Sequence, residues 1–458
     1  MQRVSKESKL GYNKTMQRVY GRETTKYIGK KVKVEGWVNS VRSHGKIIFI
    51  DLRDITGILQ LVFVPQNKEA YQIIKDVRPE FVIEAVGTIS ERPKNMVNPK
   101  EETGQVELPV EEVKVLSKAE TPPIPVGEEG TEEADLDKRM DFRWLDLRRP
   151  EKLLIFKVWT TLEKAFIDYC VENGFIEIHS PKTLITSTES GSELFEIKYF
   201  KQKAYLAQSP QLYKQMAMAA GFERVFEIGP VFRANPSFTS RHDTEFTMYD
   251  IEMSFIESHQ ELMAEEEKMI VAIFKAIKEK YGDEIKKEYG TEIIIPKIPF
   301  PKLTLREAKK ILADRGVPNE RGEDLSPEEE RAICDYVREK EGHEFVFIHE
   351  WPASVRAFYS MRLESDSTLT KSFDLLFKGL EITSGAQREH RYEQLKKQIR
   401  EKGFEAKPFE RYLDFFKYGC PPHGGFAPGP SRMVMKILNL NNVREVTFIY
   451  RGVKRLTP

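Results

Sequence analysis

The sequence predicts an α+β protein in two parts, a small β-barrel followed by a sheet flanked by helices. Three observations carry that prediction. Between Lys31 and Leu116, five short β-rich segments (KVKVEGWV, IIFIDLRD, ILQLVFV, FVIEAVGTI and VELPVEEVKVL) are separated by turn signals such as Ser43 to Lys46 and Asp54 to Gly57. Downstream, two apolar runs, Val225 to Phe232 and Phe246 to Met253, have the length and composition of buried neighbouring strands. Around them, apolar residues recur every three to four positions, at Leu154, Val158, Leu162, Phe166 and Tyr169 and again at Leu262, Met269, Ile273 and Ile277, which marks long helices.

Composition bounds the function. A chain of 458 residues is long enough for two or three domains with a sizeable core. Lys plus Arg equals Asp plus Glu at 72 each, so there is no global positive field and any nucleic-acid contact must rest on local patches. Cys170, Cys334 and Cys420 lie far apart with no metal-ligand spacing, which argues against a disulfide framework or structural zinc and fits a reducing cytoplasm. No apolar run approaches the roughly 20 residues that span a membrane, and MQRVSKESKLGYNK lacks a signal-peptide core. The expectation is a cytoplasmic protein with no membrane partner.

Taken in order, residues 1 to about 29 are polar and read as an extension with a short helix. The five strands, with one helical link from Lys68 to Val77, read as a Greek-key barrel of the oligonucleotide-binding (OB-fold) type, giving a first domain of residues 1–116. Such a barrel can serve many ligands or act as a scaffold. Phe49 alternates with apolar neighbours, so the residues alone leave it either in the core or on the surface. The stretch SKAETPPIPVGEEGTEEADLD opens a hinge at 117–143. A second domain then spans 144–458. In it Glu151 to Glu172 reads as a helix ended by Asn173 and Gly174, and Gln260 to Tyr281 as another. Residues 282–345 mix charged helices and strand entries and carry no recognisable chemical motif.

The chemistry concentrates between Tyr205 and Met253. The loop joining the two apolar runs holds Arg233, Arg241, His242, Asp243 and Glu245. Cations at fixed reach on a rigid sheet can clamp a polyphosphate, and Phe246 on the returning strand can stack a base. The residue types alone equally fit a surface hairpin with solvated charges. The full pattern FRAxxSxTxRHxTEFT followed by DxEM, however, resembles motif 2 of class II aminoacyl-tRNA synthetases, subclass b, and QSPQLYKQ before it resembles the aspartyl version. The helix, GFIEIHSP and Pro181 are similar to motif 1, which implies a homodimer, and GGFAPGPSRMVMKIL stands where motif 3 would be. The resemblance runs from about residue 30 to Pro458 and is to the archaeal-type aspartyl-tRNA synthetases. It implies that the second part is the class II antiparallel sheet flanked by helices.

Residue by residue, the resemblance implies a complete site. For ATP as substrate it implies Arg233, Arg241, His242, Glu245, Phe246, Glu381, Gly429 and Arg432, with Arg233, His242 and Arg432 carrying the catalytic role. For Mg²⁺ it implies Asp374, Glu381 and Ser384, hard oxygen donors beside a polyphosphate. For L-aspartate it implies Lys214 and Arg388 on the side-chain carboxylate, Asp250 and Gln211 at the α-ammonium, Ser384, and Glu189 in the mobile segment Thr188 to Gly191. The sister asparagine enzymes have an apolar residue at Lys214, and a buried lysine without an anionic ligand is costly, which favours an acidic substrate. On the barrel, Phe49 would stack an anticodon base while Gln60 and Glu107 read edges. The five cations between Lys138 and Arg149 would lie near tRNA phosphates.

The chain departs from the family pattern at Asn235 (usually Glu), Ser190 (usually Gly), Pro428, Pro430 and Ser431 in motif 3, and FIYRGVKRLTP at the end. A proline in the first helical turn is tolerated. The implied partners are ATP, L-aspartate, tRNA(Asp) and a second copy of the chain, with tRNA(Asn) left open as a further acceptor. The alternatives are an asparaginyl enzyme, a catalytically weak RNA-binding regulatory paralogue, and a stand-alone amide-forming ligase that would leave the barrel without a role.

Overall fold

The structure, a computed structural model, describes residues 16–99, 101–126, 133–185, 194–236, 239–405 and 407–457. Two compact units divide the chain between Leu153 and Leu154.

The first unit is the barrel. Its strands are β1 (Lys31–His44), β2 (Ile47–Asp54), β3 (Gly57–Phe63), β4 (Val82–Thr88), the two-residue β5 (Ser90–Glu91) and β6 (Val106–Ser117). The order β3-β2-β1-β4-β6 closes on itself because β3 also pairs with β6 in parallel, so the barrel has five strands with β5 appended to β6. Alternation decides which residues fill it. Val32, Val34, Val38, Ile48, Ile50, Leu52, Leu59, Leu61, Phe63, Val106 and Leu108 point inward and form one cluster. Asn67 caps the connecting helix Lys68–Ile74 with its side-chain oxygen, and Val77, just past the helix, is buried in the same cluster.

The cations between Lys138 and Arg149 are largely matched inside this unit. Arg143 is 1% exposed and pairs with Asp146, Arg139 reaches Asp146 and Glu133, Arg149 reaches Glu133 and Glu151, and Arg148 joins Glu80 at 2.7 Å. This basic cluster is spent mainly on internal ion pairs, because the neighbouring acidic residues return to it in space.

In the second unit the strands are β7 (Ile176–Glu177), β8 (Thr183–Leu184), β9 (Glu196–Tyr199), β10 (Gln202–Leu206), β11 (Arg224–Phe232), β12 (Glu245–Ser254), β13 (Lys302–Thr304), β14 (Phe345–His349), β15 (Ser372–Phe377), β16 (Leu380–Gln387) and β17 (His423–Pro428). Among the described residues, eight form one sheet in the order β13-β14-β15-β16-β17-β12-β11-β7. The six central strands are antiparallel and an outer strand on each side is parallel to its neighbour. The expected antiparallel sheet is thus a mixed one at its edges. Strands β8, β10 and β9 make a small separate sheet.

Two long helices, Pro150–Glu172 and His259–Tyr289, cover one face of the large sheet. Their apolar positions join Phe226, Tyr249, Ile251, Met253, Phe373, Leu375 and Phe426 in a single core cluster. The second helix starts at a capping box between Ser258 and Glu261 and runs eight residues past Tyr281, to a left-handed Gly290. The opposite face is covered over β14 and β15 by the helices Leu305–Asp314 and Pro327–Glu341, which cluster with Val346, Ile348 and Leu376, and it opens toward the middle of the sheet. On β12 the odd-numbered residues enter the core, so Phe246, Met248, Asp250 and Glu252 project from the opposite face. None of the helices, among the described residues, is long and apolar enough to cross a membrane.

The helix His259–Tyr289 also buries three consecutive glutamates. Glu265 accepts from Tyr169 Oη at 2.9 Å, and Glu267 pairs with Lys302 at 3.2 Å. Glu266 between them is fully buried, and its charged neighbours are the carboxylates Asp374 and Glu267. Burial pushes its carboxyl up to about 8. A carboxyl raised in the folded state keeps its proton there after the unfolded chain has lost it. Its contribution therefore favours folding least at high pH, and stability falls as pH rises from the ordinary glutamate range through about 8. Glu266→Gln is expected to unfold at a higher temperature than the wild type at pH 9, with the gap narrowing steadily toward pH 5 in paired thermal melts.

Candidate active site

The site lies on the face of the large sheet opposite the two long helices, over its middle strands. A cavity of about 350 Å³ opens over β12, β15, β16 and β17. Among its walls are Gln211, Lys214, Arg233, Arg241, His242, Phe246, Asp250, Glu381, Ser384, Arg388, Gly429 and Arg432, residues that lie as far as 221 positions apart in the chain.

At the floor lies a buried charge network. Lys214 Nζ, on the helix Gln211–Ala219, donates to Asp250 Oδ1 at 2.9 Å and to the Ile251 carbonyl at 3.3 Å, and sits 3.2 Å from Glu252 Oε2. Arg388, at the end of β16, grips the same Glu252 with Nε at 3.0 Å and Nη2 at 3.3 Å. A third bond from Arg388 reaches the Gly425 carbonyl at 3.0 Å, and its guanidinium lies 5.4 Å from the Tyr359 ring. Burial alone would raise the Glu252 carboxyl, but Arg388 and then Lys214 hold it below the ordinary range, whereas burial wins at Asp250 and raises it. Two cations and two carboxylates balance without any ligand. Lys214 therefore needs no substrate anion to be buried, and the desolvation argument made from the sequence gives way to an internal one.

The cationic end of the cavity comes from the β11–β12 hairpin and from motif 3. Arg233 lies 5.3 Å from the Phe246 ring. Arg241 donates through Nη1 to both carboxylate oxygens of Glu330, at 2.9 and 2.8 Å. Glu330 also accepts from the backbone N–H of Glu381 at 3.1 Å. Arg432 donates to the Glu381 carbonyl at 2.8 Å. His242 Nδ1 is 2.5 Å from the Thr239 hydroxyl, and burial with the nearby Arg432 and Arg241 pushes its imidazole down to about 4, so it is neutral at neutral pH. Burial likewise raises Asp243 to about 7. The closing segment reinforces the loop: the Thr244 N–H bonds the Arg451 carbonyl, and Tyr450 Oη bonds the His242 carbonyl.

Asp374 and Ser384 are cross-strand partners on β15 and β16, and Ile382 is the extra residue of a bulge that brings Glu381 opposite Leu376. Asp374 Oδ1 is buried without a hydrogen-bond partner. No group of three or more His, Cys, Asp or Glu residues forms a metal-binding cluster among the described residues. That donor set suits magnesium, which takes one or two carboxylates and completes its shell with phosphate oxygens and water.

Comparison with known proteins agrees with this geometry. The sequence pattern described as tRNA synthetases class II (D, K and N) matches residues 135–450, and that of an OB-fold nucleic acid binding domain matches 32–116. The Aspartate--tRNA(Asp) ligase of Pyrococcus abyssi is 44% identical over 443 residues, covering 96% of this chain and 99% of the relative. The chain belongs to the class II tRNA synthetases, among the archaeal aspartate–tRNA ligases. The Aspartate--tRNA(Asp/Asn) ligase of Methanopyrus kandleri is also 44% identical, over 94% of this chain and 96% of the relative. Among solved structures, the asparaginyl-tRNA synthetase of Pyrococcus horikoshii complexed with asparaginyl-adenylate matches with a TM-score of 0.87 at 32% identity, over 96% of this chain and all of that one.

Within the synthetase, most residues singled out from the sequence meet at one cavity, and the exceptions have identifiable places. Glu245 is exposed and lines a neighbouring cleft with Phe246. Asp374 lies just behind the cavity wall, 4% exposed. Glu189, Ser190 and the rest of the segment Thr188 to Gly191 fall outside the described residues. Proline begins the motif 3 helix Pro430–Ile437 without breaking it. The motif 3 glycines act differently from one another. A Cβ at Gly425 would meet the Ile251 carbonyl at 2.0 Å and Glu252 at 2.2 Å, and one at Gly424 the Ala386 carbonyl at 2.7 Å, so these two serve strand packing. Only Gly429 has space toward the cavity. Glu252, Glu330, Arg356 and Tyr359 are functional neighbours that sequence reasoning missed. Glu252 had a signal, as the acidic letter of DxEM.

On the barrel, Phe49 is half-buried on the outer face, since Ile48 and Ile50 fill the core. Gln60 shares that face and donates through Nε2 to Glu107 at 2.9 Å. Asn39, on β1, is 8% exposed and accepts from Arg53 at 2.7 Å, while Arg53 pairs with Glu80.

Replacing Glu252 by Gln would leave Lys214 and Arg388 buried with only Asp250 between them. The expected cost is about 3–5 kcal/mol of folding free energy, read from urea denaturation. Any folded fraction is expected to lose aspartate-dependent ATP–pyrophosphate exchange far more than ATP binding measured by calorimetry.

Proposed function

We propose that the synthetase activates L-aspartate with ATP and transfers it to the 3′ end of tRNA(Asp). The observation that carries this reading is the convergence of Lys214 and Arg388 on Glu252 at the floor of a cavity whose other end is lined by Arg233, Arg241, His242 and Arg432. A side-chain carboxylate entering there meets two cations already oriented, and Asp250 with Gln211 faces the same cavity to receive the α-ammonium.

The α-carboxylate oxygen attacks the α-phosphorus, a P–O bond forms, and the bond to the leaving pyrophosphate breaks. Arg233, held over Phe246, stabilises charge on the α-phosphoryl oxygens, while Arg432 supplies positive charge and the neutral His242 a hydrogen bond to the pyrophosphate. Asp374, Glu381 and Ser384 would hold Mg²⁺, which neutralises phosphate charge when bound. The 3′-hydroxyl of the terminal tRNA adenosine then attacks the aspartyl carbonyl and AMP departs. Positioning and electrostatics supply the acceleration, and no protein nucleophile is required.

Residues 1–116 serve as the anticodon reader through Phe49, Gln60 and Glu107, residues 117–143 as the hinge, and residues 144–458 as the catalytic domain. The working form is a cytoplasmic homodimer joined through motif 1; half-buried to exposed apolar side chains beside that helix, including Phe156, Trp159 and the 64% exposed Phe448, support it. Curated relatives divide between tRNA(Asp) and tRNA(Asp/Asn), so tRNA(Asn) is a second candidate acceptor.

The deciding experiment is ATP–pyrophosphate exchange without tRNA, comparing aspartate, asparagine and glutamate. Exchange with aspartate alone is expected. Exchange with asparagine alone would transfer the assignment to the sister activity, and none with any of them would favour a regulatory paralogue. Phe49→Ala is expected to lower kcat/KM for tRNA by about 5- to 100-fold, the worth of one stacked base, while exchange stays within about twofold.

A further inference from the structure

Arg356 is used by no step above, yet it occupies the donors assigned to the metal. It lies in the segment 350–371 between β14 and β15 and lines the cavity. Its Nη1 donates to Ser384 Oγ at 3.1 Å, its Nη2 pairs with Asp374 Oδ2, and its guanidinium lies 4.2 Å from the centre of the Trp351 ring. One guanidinium thus engages two of the three residues assigned to Mg²⁺.

This ion pair is incomplete on both sides. Asp374 Oδ1 and Arg356 Nε are both buried without hydrogen-bond partners. A permanent structural pair at such depth normally satisfies its remaining polar atoms. Arg53 with Glu80 shows the difference within the same chain: there the guanidinium bonds both carboxylate oxygens and also Asn39. The Asp374 pair is instead arranged to exchange partners. With the guanidinium on Asp374 Oδ2 and Ser384 Oγ, a divalent ion approaching Asp374 Oδ1 would compete for Ser384 Oγ and meet a like charge at close range, so the two exclude each other. The Trp351 ring gives the cation a surface to turn against, and the cavity beside it is where a polyphosphate would offer new anionic partners.

We propose that Arg356 is the resident counter-cation of the metal site. Without nucleotide it holds Asp374 and Ser384, and the divalent ion gains them only when ATP phosphates draw the guanidinium away. Metal and nucleotide binding are then coupled, each raising the affinity of the other by the same factor. The chain avoids both an unpaired buried carboxylate in the empty site and occupation of that site by a free metal ion. This inference rests on the assignment of Asp374 and Ser384 to Mg²⁺.

The test is a Mn²⁺ titration of the full-length protein followed by electron paramagnetic resonance, alone and with a non-hydrolysable ATP analogue. Arg356→Gln is expected to bind Mn²⁺ alone about tenfold more tightly than the wild type and to lose most of the analogue-induced gain. Arg356→Lys, which keeps a cation, should stay within about threefold of the wild type. If Arg356→Gln binds Mn²⁺ alone no better than the wild type while Asp374→Asn abolishes binding in the presence of the analogue, the metal site stands and the counter-cation is refuted. Lowered thermal stability of Arg356→Gln with unchanged Mn²⁺ affinity refutes it likewise, in favour of a purely structural pair. Should Asp374→Asn bind Mn²⁺ with the analogue as tightly as the wild type, the metal assignment itself fails and the inference with it.

Discussion

Glu252 is the constraint on which the catalytic floor depends. It is fully buried on a central strand, and it holds two cations from opposite sides, Lys214 from a helix and Arg388 from the far end of β16. A carboxylate in that position is tolerable only because both are present, and each cation is tolerable only because of the carboxylate. Their mutual dependence fixes the helix Gln211–Ala219 against β12, and β16 against β17, without help from a ligand. Gly425 completes the arrangement, since any side chain there would strike Glu252 itself. A recognition site for a small charged substrate needs this kind of rigidity, because two cations left flexible would lose in ordering entropy what they gain in attraction.

The same rule extends up the cavity wall with a different outcome. Arg241 rests on Glu330, Arg432 on the carbonyl of Glu381, and Arg356 on Asp374. Arg241 and Arg432 are kept in place by internal oxygens, so the end of the cavity proposed to take phosphates is preorganised, whereas the Arg356 pair is the one proposed to exchange partners. These contacts lie nearer the cavity and are less deeply enclosed than the floor network. Glu330 ties two of them together, as it receives both the Arg241 guanidinium and the backbone N–H of Glu381. The helix Pro327–Glu341, part of a stretch in which the sequence showed no chemistry, thereby supports the site it was not expected to touch.

Much of this was legible because period and type agree where one face is buried. The barrel strands alternate, the hairpin runs are apolar for the length of a strand, and the two covering helices repeat every three to four residues. What escaped reading did so for local reasons. Gly282 looks like a helix terminus, but it sits inside the helix His259–Tyr289, which tertiary packing carries on to Ile285, a fully buried residue. The bulge at Ile382 has no signature of its own, although it sets where Glu381 falls. Arg356 is a lone cation between Val355 and Ala357, and only the fold reveals that it returns to Asp374. Gly424 and Gly425 stand in the motif 3 stretch, but what holds them to glycine is neighbouring backbone, the carbonyls of Ala386 and Ile251.

The barrel separates reading surface from scaffold by the same logic of pairing. Asn39, Arg53 and Glu80 form a closed buried set, so Asn39 has its oxygen committed inside the unit. On the outer face Gln60, itself only 8% exposed, spends one amide hydrogen on Glu107, which fixes the orientation of the amide and leaves one N–H and the carbonyl oxygen as its remaining capacity. Phe49, on the same outer face of the adjoining strand, has no polar group to satisfy and can offer its ring to a base. An unstacked base would thus meet one aromatic plane and one amide of fixed orientation, which is the combination that discriminates an edge rather than merely attracting a phosphate. With no net charge on the chain and the cations between Lys138 and Arg149 largely paired internally, the proposed anticodon recognition rests on such local contacts, with affinity and specificity assigned to the same residues.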